Sequence, residues 1–140
     1  MPSSLRSEPE LRRVYVTGLI RMNAEPEATA QIASALRAGW DGELAQLYGE
    51  LQGIDAVTQL ATIEQWLGQF GEKPELLLAA ARACRRNRLW GKARSYLEGR
   101  IGLAPSASAY LELARLCQQT QAPDDAVRYY RLGLEFAAKT

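Results

Sequence analysis

Apolar residues recur along this chain at the three- and four-residue spacing that places them on one face of a helix. In the first half, Asn23, Gly39, Gly42 and Gly53 separate the apolar stripes, and residues of these types commonly end helices. This half therefore predicts four helices, with the stripes Leu11, Val14, Tyr15, Leu19 and Met22; Ala28, Ile32, Ala35 and Leu36; Leu44, Leu47, Tyr48 and Leu51; and Val57, Leu60, Ile63, Trp66, Leu67 and Phe70.

The second half predicts four more helices. Two of them span about 75–87 and 90–103, a third follows a cap at Ser106 or Ser108, and the last begins at Pro123 with acidic residues at its positive end. No segment predicts a strand, and the loops are too short for a linker between domains. We expect one all-α domain over residues 1–140.

Two stretches near the end of the chain repeat one another 33 residues apart. Ala81-Arg82-Ala83-Cys84 returns as Ala114-Arg115-Leu116-Cys117, and Ala93-Arg94-Ser95-Tyr96 returns as Ala126-Val127-Arg128-Tyr129. A period of 33 or 34 residues built from two short helices is typical of tetratricopeptide-like solenoids. We expect a right-handed superhelix of four hairpins, roughly 8–38, 41–71, 74–104 and 107–138.

The third and fourth hairpins resemble tetratricopeptide repeats. Small residues fall where the two helices of a repeat cross, at Ala81 and Ala93, and Leu97 takes the large position before the closing Pro105. The last hairpin places Ala114, Ala126 and Tyr130 at the same positions. It departs from the pattern at Ala138, which replaces proline, and Arg100 replaces a small residue in the third hairpin.

A more specific resemblance is carried by longer stretches of the chain. They are Trp40, Leu47-Tyr48-Gly49-Glu50-Leu51, Ala81-Arg82-Ala83-Cys84, Leu89-Trp90-Gly91-Lys92-Ala93-Arg94, Leu103-Ala104-Pro105 and Ala109-Tyr110-Leu111-Glu112-Leu113-Ala114. Their order resembles the C-terminal region of the bacterial HemY family, inner-membrane proteins linked to haem and porphyrin biosynthesis. The resemblance implies a parent in the bacterial inner membrane, attached by N-terminal membrane helices that are absent from this chain, with this domain on the cytoplasmic side. The chain has no apolar run of about 18 residues, so we expect it to be soluble as an isolated fragment.

Composition narrows the possible chemistry. The chain has no histidine, which excludes serine–histidine and cysteine–histidine catalysis and imidazole-bound haem or metal. Cys84 and Cys117 occupy equivalent helical positions and are interpreted as buried packing residues rather than thiolate ligands. Trp40, Trp66 and Trp90 lie near hairpin junctions and are interpreted as packing aromatics rather than a porphyrin-stacking set. We therefore expect no enzyme activity, cofactor or metal.

Charge is nearly balanced overall but uneven along the chain. The formal net charge is +1, which gives no general attraction to nucleic acid or membrane. Residues 41–81 carry seven acidic residues and one basic residue, whereas residues 82–100 carry seven basic residues and one acidic residue. These segments could neutralise one another within a molecule or support weak head-to-tail self-association at low salt.

Polar residues on the first helix of each hairpin form the candidate binding site. In tetratricopeptide repeats these helices line the concave face, and here they predict a basic groove for a partner protein or acidic peptide. The candidate residues are Arg13, Arg21, Arg82, Arg85, Arg86, Arg115, Gln118 and Gln119. The alternative for these arginines is a solvated helix face.

The sequence thus favours a protein-interaction scaffold from a HemY-like parent. Two alternatives stay open: an enzyme of late porphyrin metabolism, and a solenoid that binds anions or RNA through the arginines of residues 82–100. Neither a glycine-rich dinucleotide loop after a strand nor exposed stacking aromatics are evident to support them. We expect no nucleic-acid partner.

Overall fold

The computed structural model describes residues 8–139, and these form eight α-helices with no strand. The all-α prediction and the number of helices are confirmed for this part of the chain. The helices are α1 (Pro9–Arg21), α2 (Glu25–Ala38), α3 (Gly42–Glu50), α4 (Ala56–Phe70), α5 (Pro74–Arg86), α6 (Trp90–Leu103), α7 (Ala107–Gln119) and α8 (Pro123–Lys139).

Side-chain caps start three of the helices. Asp41 accepts a hydrogen bond from the Leu44 backbone N–H at 3.2 Å, and Ser106 accepts one from Ala109 at 3.1 Å. Asp55 does the same for Thr58 at 2.9 Å. Each cap supplies an acceptor for an N–H that the first turn of a helix leaves without a partner. Of the two serines predicted as caps for α7, Ser106 is the one that caps it.

Three hairpin turns share one backbone conformation. Asn23, Arg88 and Gln121 have φ values of 60°, 59° and 64°. In each case the next residue donates its N–H to the carbonyl five positions earlier, at 2.8 Å: Ala24 to Leu19, Leu89 to Cys84 and Ala122 to Cys117. This is the helix-ending pattern that a left-handed residue permits. Hairpins one, three and four therefore turn in the same way.

The second hairpin closes differently. Gln59 is buried in α4, and its side-chain amide donates to the backbone carbonyls of Tyr48 at 2.9 Å and Leu51 at 3.1 Å. The Tyr48 and Trp66 rings meet edge to face with centroids 4.9 Å apart. The buried Gln59 amide thus donates hydrogen bonds to the backbone carbonyls at the end of α3. In the other three hairpins, a left-handed residue ends the first helix instead.

Neighbouring helices follow one scheme along the chain. The second helix of each hairpin contacts the first helix of the next, as α2 contacts α3, α4 contacts α5, and α6 contacts α7. First helices also contact one another, α1 with α3 and α3 with α5. One continuous core of buried apolar side chains runs from Val16 to Ala126.

The small residues assigned to helix crossings are buried. Ala81, Ala93, Ala114 and Ala126 all lie in the interior, as do the free thiols Cys84 and Cys117. Trp40 packs on Phe70 with ring centroids 5.1 Å apart, at the junction between hairpins. Trp66 differs from the prediction because it packs inside the second hairpin rather than between hairpins.

The predicted stripe on α1 is wrong at two positions. Val14 is 65% exposed and Met22 is 77% exposed, whereas Val16 is fully buried. Val57 on α4 is also exposed. In the last hairpin, Tyr130 stands where the third hairpin has Leu97, yet Tyr130 is 37% exposed and Leu97 is 0% exposed. The reason is positional, because Leu97 lies under the following hairpin and no described helix follows α8.

Candidate partner-binding groove

A polar groove of about 520 Å³ opens at the C-terminal ends of α3, α5 and α7. It brings together residues from three hairpins, since these helices are the first helices of hairpins two, three and four. Its lining residues are Gly49, Glu50, Gln52, Arg82, Arg85, Arg86, Trp90, Glu112 and Gln119. We call this set the arginine groove.

The close approach of α3 and α5 forms one side of the arginine groove. A Cβ atom at Gly49 would lie 2.7 Å from the Cβ atom of Ala79, which is closer than real Cβ contacts. Glycine facing alanine therefore sets the spacing of the two helices. That spacing brings Glu50 at the end of α3 beside the arginines of α5.

Arg82 spans the gap between α5 and α7. Its Nε and Nη2 atoms donate to the Oε1 atom of Glu112 at 3.0 and 2.8 Å. Glu112 is largely buried, and its second oxygen, Oε2, is buried without a hydrogen-bond partner among the described residues. The ion pair with Glu112 joins α5 to α7 and neutralises the Arg82 charge.

Arg86 is tied to the loop of the second hairpin. Its guanidinium donates to the side-chain oxygen of Gln59 and to the backbone carbonyls of Ile54 at 2.8 Å and Gln52 at 3.4 Å. None of these acceptors carries a charge, so Arg86 keeps its positive charge uncompensated by a hydrogen-bonded carboxylate. Arg86 is thus both a structural tie and a source of positive potential in the arginine groove.

Arg85 lies between Arg82 and Arg86 in the sequence and has the fewest hydrogen bonds of the three arginines. It is half-buried, and its Nε atom is buried without a hydrogen-bond partner among the described residues. A buried N–H without an acceptor is costly in a folded protein. Among the described residues, no carboxylate neutralises the Arg85 guanidinium, which lines the groove.

Four of the eight predicted site residues line the arginine groove: Arg82, Arg85, Arg86 and Gln119. Arg115 and Gln118 lie outside it on the exposed face of α7, where Gln118 accepts a hydrogen bond from the Tyr130 hydroxyl at 2.9 Å. Arg115 is exposed on α7, and Arg82 forms its ion pair with Glu112 of the same helix.

Arg13 and Arg21 line a separate groove of about 680 Å³ on α1. Arg13 donates from Nε to both carboxylate oxygens of Asp41 at 3.2 Å, and Glu43 lies 3.6 Å away. The hydrogen bond to Asp41 raises the pKa of the Arg13 guanidinium. Its charge is therefore matched by acidic neighbours, unlike that of Arg85.

Five groove residues are not among the binding residues predicted from the sequence: Gly49, Glu50, Gln52, Trp90 and Glu112. Glu112 had a visible signal, because it lies one helical turn before Arg115 and 33 positions after the buried Ala79. Because the equivalent position in the preceding repeat is buried, a carboxylate there requires a hydrogen-bonding or oppositely charged partner. Arg82 is that partner.

The acidic and basic segments meet on the second helices. Lys92 donates to Glu64 at 2.8 Å, and the Tyr96 hydroxyl donates to the same oxygen at 2.6 Å. These two hydrogen bonds lower the pKa of the Glu64 carboxyl. Arg94 pairs with Asp125 at 2.9 Å on the next second helix. The segment charges are thus partly neutralised within the molecule.

The two thiols are poorly suited to act as thiolates. Burial raises the pKa of the Cys84 thiol to about 11, and burial also raises the pKa of Cys117. Both side chains are therefore protonated at neutral pH. Among residues 8–139, no group of three or more acidic or cysteine side chains is placed to hold a metal ion.

Comparison of the chain with models of known protein families and with curated proteins finds no match. Within residues 8–139, no helix combines the length and apolar character needed to cross a membrane.

Proposed function

We propose that this chain is a tetratricopeptide-like scaffold that binds an acidic segment of a partner protein in the arginine groove. The neighbouring guanidinium groups of Arg85 and Arg86, neither of which pairs with a carboxylate among the described residues, are the observation that carries the proposal. An extended peptide supplies the complementary groups, since its carboxylates and carbonyls accept hydrogen bonds and its backbone N–H groups donate them.

Three features support the solenoid part of the proposal. The identical turns at Asn23, Arg88 and Gln121 recur at the repeat spacing, and small buried residues recur at the helix crossings. The first helices α1 and α3, and α3 and α5, contact one another, as they do where stacked hairpins build a concave surface. A right-handed superhelix of four hairpins accounts for all three.

The charge of the groove supports an acidic ligand. Arg82 is neutralised by Glu112, but Arg86 has only uncharged acceptors and Arg85 has no acceptor for Nε. Glu50 at the rim is the one acidic lining residue besides Glu112. Two guanidinium groups on successive residues suit a ligand with two neighbouring carboxylates.

Selection from a displayed library of random peptides tests this proposal. We expect wild-type protein to enrich sequences with adjacent Asp or Glu residues, and the Arg85→Gln variant to lose that enrichment. Arg115→Gln is the matched control, since it removes the same charge from an exposed site outside the groove. Enrichment of apolar or basic peptides, or equal loss in both variants, would contradict the proposal.

At the level of the parent protein, we propose a HemY-like scaffold at the bacterial inner membrane that holds a protein of haem biosynthesis. Its support is the sequence resemblance, and the packed aromatic side chains Trp40 and Trp66 offer no surface for stacking porphyrin or RNA bases. A pull-down from the native membrane fraction with wild type and Arg85→Gln tests it. Haem or flavin absorbance in the purified protein would instead favour the enzyme alternative.

A further inference from the structure

The outward side of α8 carries large apolar side chains in contact with solvent. Leu134 is 73% exposed and Val127 is 64% exposed, and Tyr130 and Leu111 of α7 lie beside them. These four residues are called the terminal apolar face. A contiguous apolar surface of this kind usually marks an interaction site in a soluble protein.

A small groove of about 240 Å³ runs along the terminal apolar face between α7 and α8, lined by Ala107, Leu111, Tyr130, Gly133 and Leu134. Gly133 allows the two helices to approach closely, because a Cβ atom there would lie 3.0 Å from the Cβ of Tyr110. The Tyr130 hydroxyl is held by Gln118, which fixes the ring at the edge of the groove. The groove has room for one apolar side chain from a facing helix.

The preceding repeat indicates what kind of element suits this face. Leu97 and Ile101 of α6 lie 33 positions before Tyr130 and Leu134. Leu97 is fully buried and Ile101 packs against the core, and α6, which carries both, contacts the first helix of the following hairpin. The terminal apolar face therefore has the composition of a surface that packs against another helix.

Charged residues along one edge of α8 identify a second copy as the occupant. Asp124, Arg128, Glu135 and Lys139 are all exposed, and at 100° per residue they fall on the same edge beside Val127 and Leu134. Arg128 also lies 3.5 Å from Asp125 and 4.7 Å from the Tyr129 ring centroid of its own chain, so a pair with Glu135 of a second copy competes with these exposed contacts. If two α8 helices pack antiparallel, Asp124 faces Lys139 and Arg128 faces Glu135, and two-fold symmetry forms each pair twice. A parallel two-fold arrangement would place this edge against the opposite edge of the other α8, and these pairs would not form.

We propose that two copies of this chain associate through their terminal apolar faces, with the α8 helices antiparallel. Near the symmetry axis, Val127 of one copy meets Leu134 of the other, and the two Arg131 side chains are close to one another. That like-charge contact limits the affinity. The interaction is separate from the arginine groove, because none of the four residues of the terminal apolar face lines that groove.

Sedimentation equilibrium of the full chain over a range of concentrations tests the proposal. We expect a monomer–dimer equilibrium, and Leu134→Asp should raise the dissociation constant about tenfold or more because it places a charge at the centre of the contact. Val57→Asp is the matched control, since Val57 is 68% exposed on α4. Circular dichroism melting reports whether each variant stays folded.

Charge exchange tests the antiparallel pairing. Arg128→Glu alone and Glu135→Arg alone should each weaken the dimer about fivefold, because each change creates two like-charge contacts. The double variant Arg128→Glu/Glu135→Arg should restore the wild-type dissociation constant. Arg131→Gln should tighten the dimer.

Several outcomes would overturn the proposal. A monomer at every concentration would mean that this face serves a different kind of partner. A dimer unaffected by Leu134→Asp would place the contact elsewhere, and open-ended growth would indicate head-to-tail association. Failure of the double variant to recover would rule out the antiparallel arrangement.

Discussion

Gly49 and Ala79 are in contact where α3 crosses α5. The space between the two helices at this point holds the Cβ atom of Ala79 and no second Cβ atom. The position of a Cβ at Gly49 would be 2.7 Å from the Cβ of Ala79 and 3.1 Å from its Cα. The contact sets the distance between the two helices that carry Glu50 and the arginines Arg82, Arg85 and Arg86. Gly49 therefore links the packing of the hairpins to the shape of the arginine groove.

Gly49→Ala should destabilise the protein by about 1–3 kcal/mol, because α3 or α5 must move to make room for the methyl group. Urea unfolding followed by circular dichroism measures the change. Gly68→Ala is the matched control, since no atom lies near a Cβ at Gly68 in the last turn of α4. It should stabilise by about 0.5–1 kcal/mol. An unchanged unfolding midpoint for Gly49→Ala would show that the helices do not pack this closely.

Arg86 is expected to contribute to stability as well as to binding. Arg86→Ala leaves the side-chain oxygen of Gln59 and the carbonyl of Ile54 without their donor, which should cost about 1–3 kcal/mol. Arg115→Ala, on the exposed face of α7, should change the free energy of unfolding by less than about 0.5 kcal/mol. Equal effects of the two variants would mean that the Arg86 hydrogen bonds are not made in solution.

The left-handed turn at Arg88 offers a separate test of the repeat. A side chain at φ 59° is strained, so Arg88→Gly should stabilise the protein by about 0.5–1 kcal/mol. Arg88→Ala keeps a Cβ atom and should give no such gain. Thermal melting of the two variants measures the difference. Equal stabilisation by alanine and by glycine would contradict this turn conformation.

Glu64 should make stability depend on acidic pH. Lys92 and Tyr96 lower its pKa in the folded protein, so the unfolded chain takes up this proton at a higher pH than the folded protein does. The stabilisation by Glu64 is complete above about pH 5, and it is lost as the pH falls through the lowered pKa. Urea unfolding of wild type and Glu64→Gln should therefore differ at neutral pH and converge in acid. A difference that persists unchanged into acid would contradict the Glu64 ion pair.

The sequence predicts local features of this protein better than its long-range contacts. The start and end of α6, the Ser106 cap and the burial of Ala81 and Ala93 follow from patterns within one hairpin. Val14 was wrongly predicted as buried, because α1 packs on α2 and α3 and Val14 lies on a side of α1 that is exposed.

The candidate site was also predicted only in part, because its hydrogen bonds join residues of different hairpins. Charge and spacing identified Arg82, Arg85 and Arg86, but not which of them would already be paired. Arg82 meets Glu112 and Arg86 meets Gln59, partners 30 and 27 positions away. Such pairings depend on how neighbouring hairpins stack, which residue patterns within one hairpin do not specify.

NMR of isotopically labelled protein tests most directly whether an acidic peptide binds in the arginine groove. The three indole N–H signals report on different places, because Trp90 lines the groove whereas Trp40 packs on Phe70 and Trp66 on Tyr48. Titration with a short acetylated peptide containing two adjacent glutamates should shift the signals of the Trp90 indole and the Arg85 Nε–H to saturation. The Trp40 and Trp66 signals should stay in place. No saturable change at Trp90 or Arg85, or shifts confined to Trp40, would contradict the proposed site.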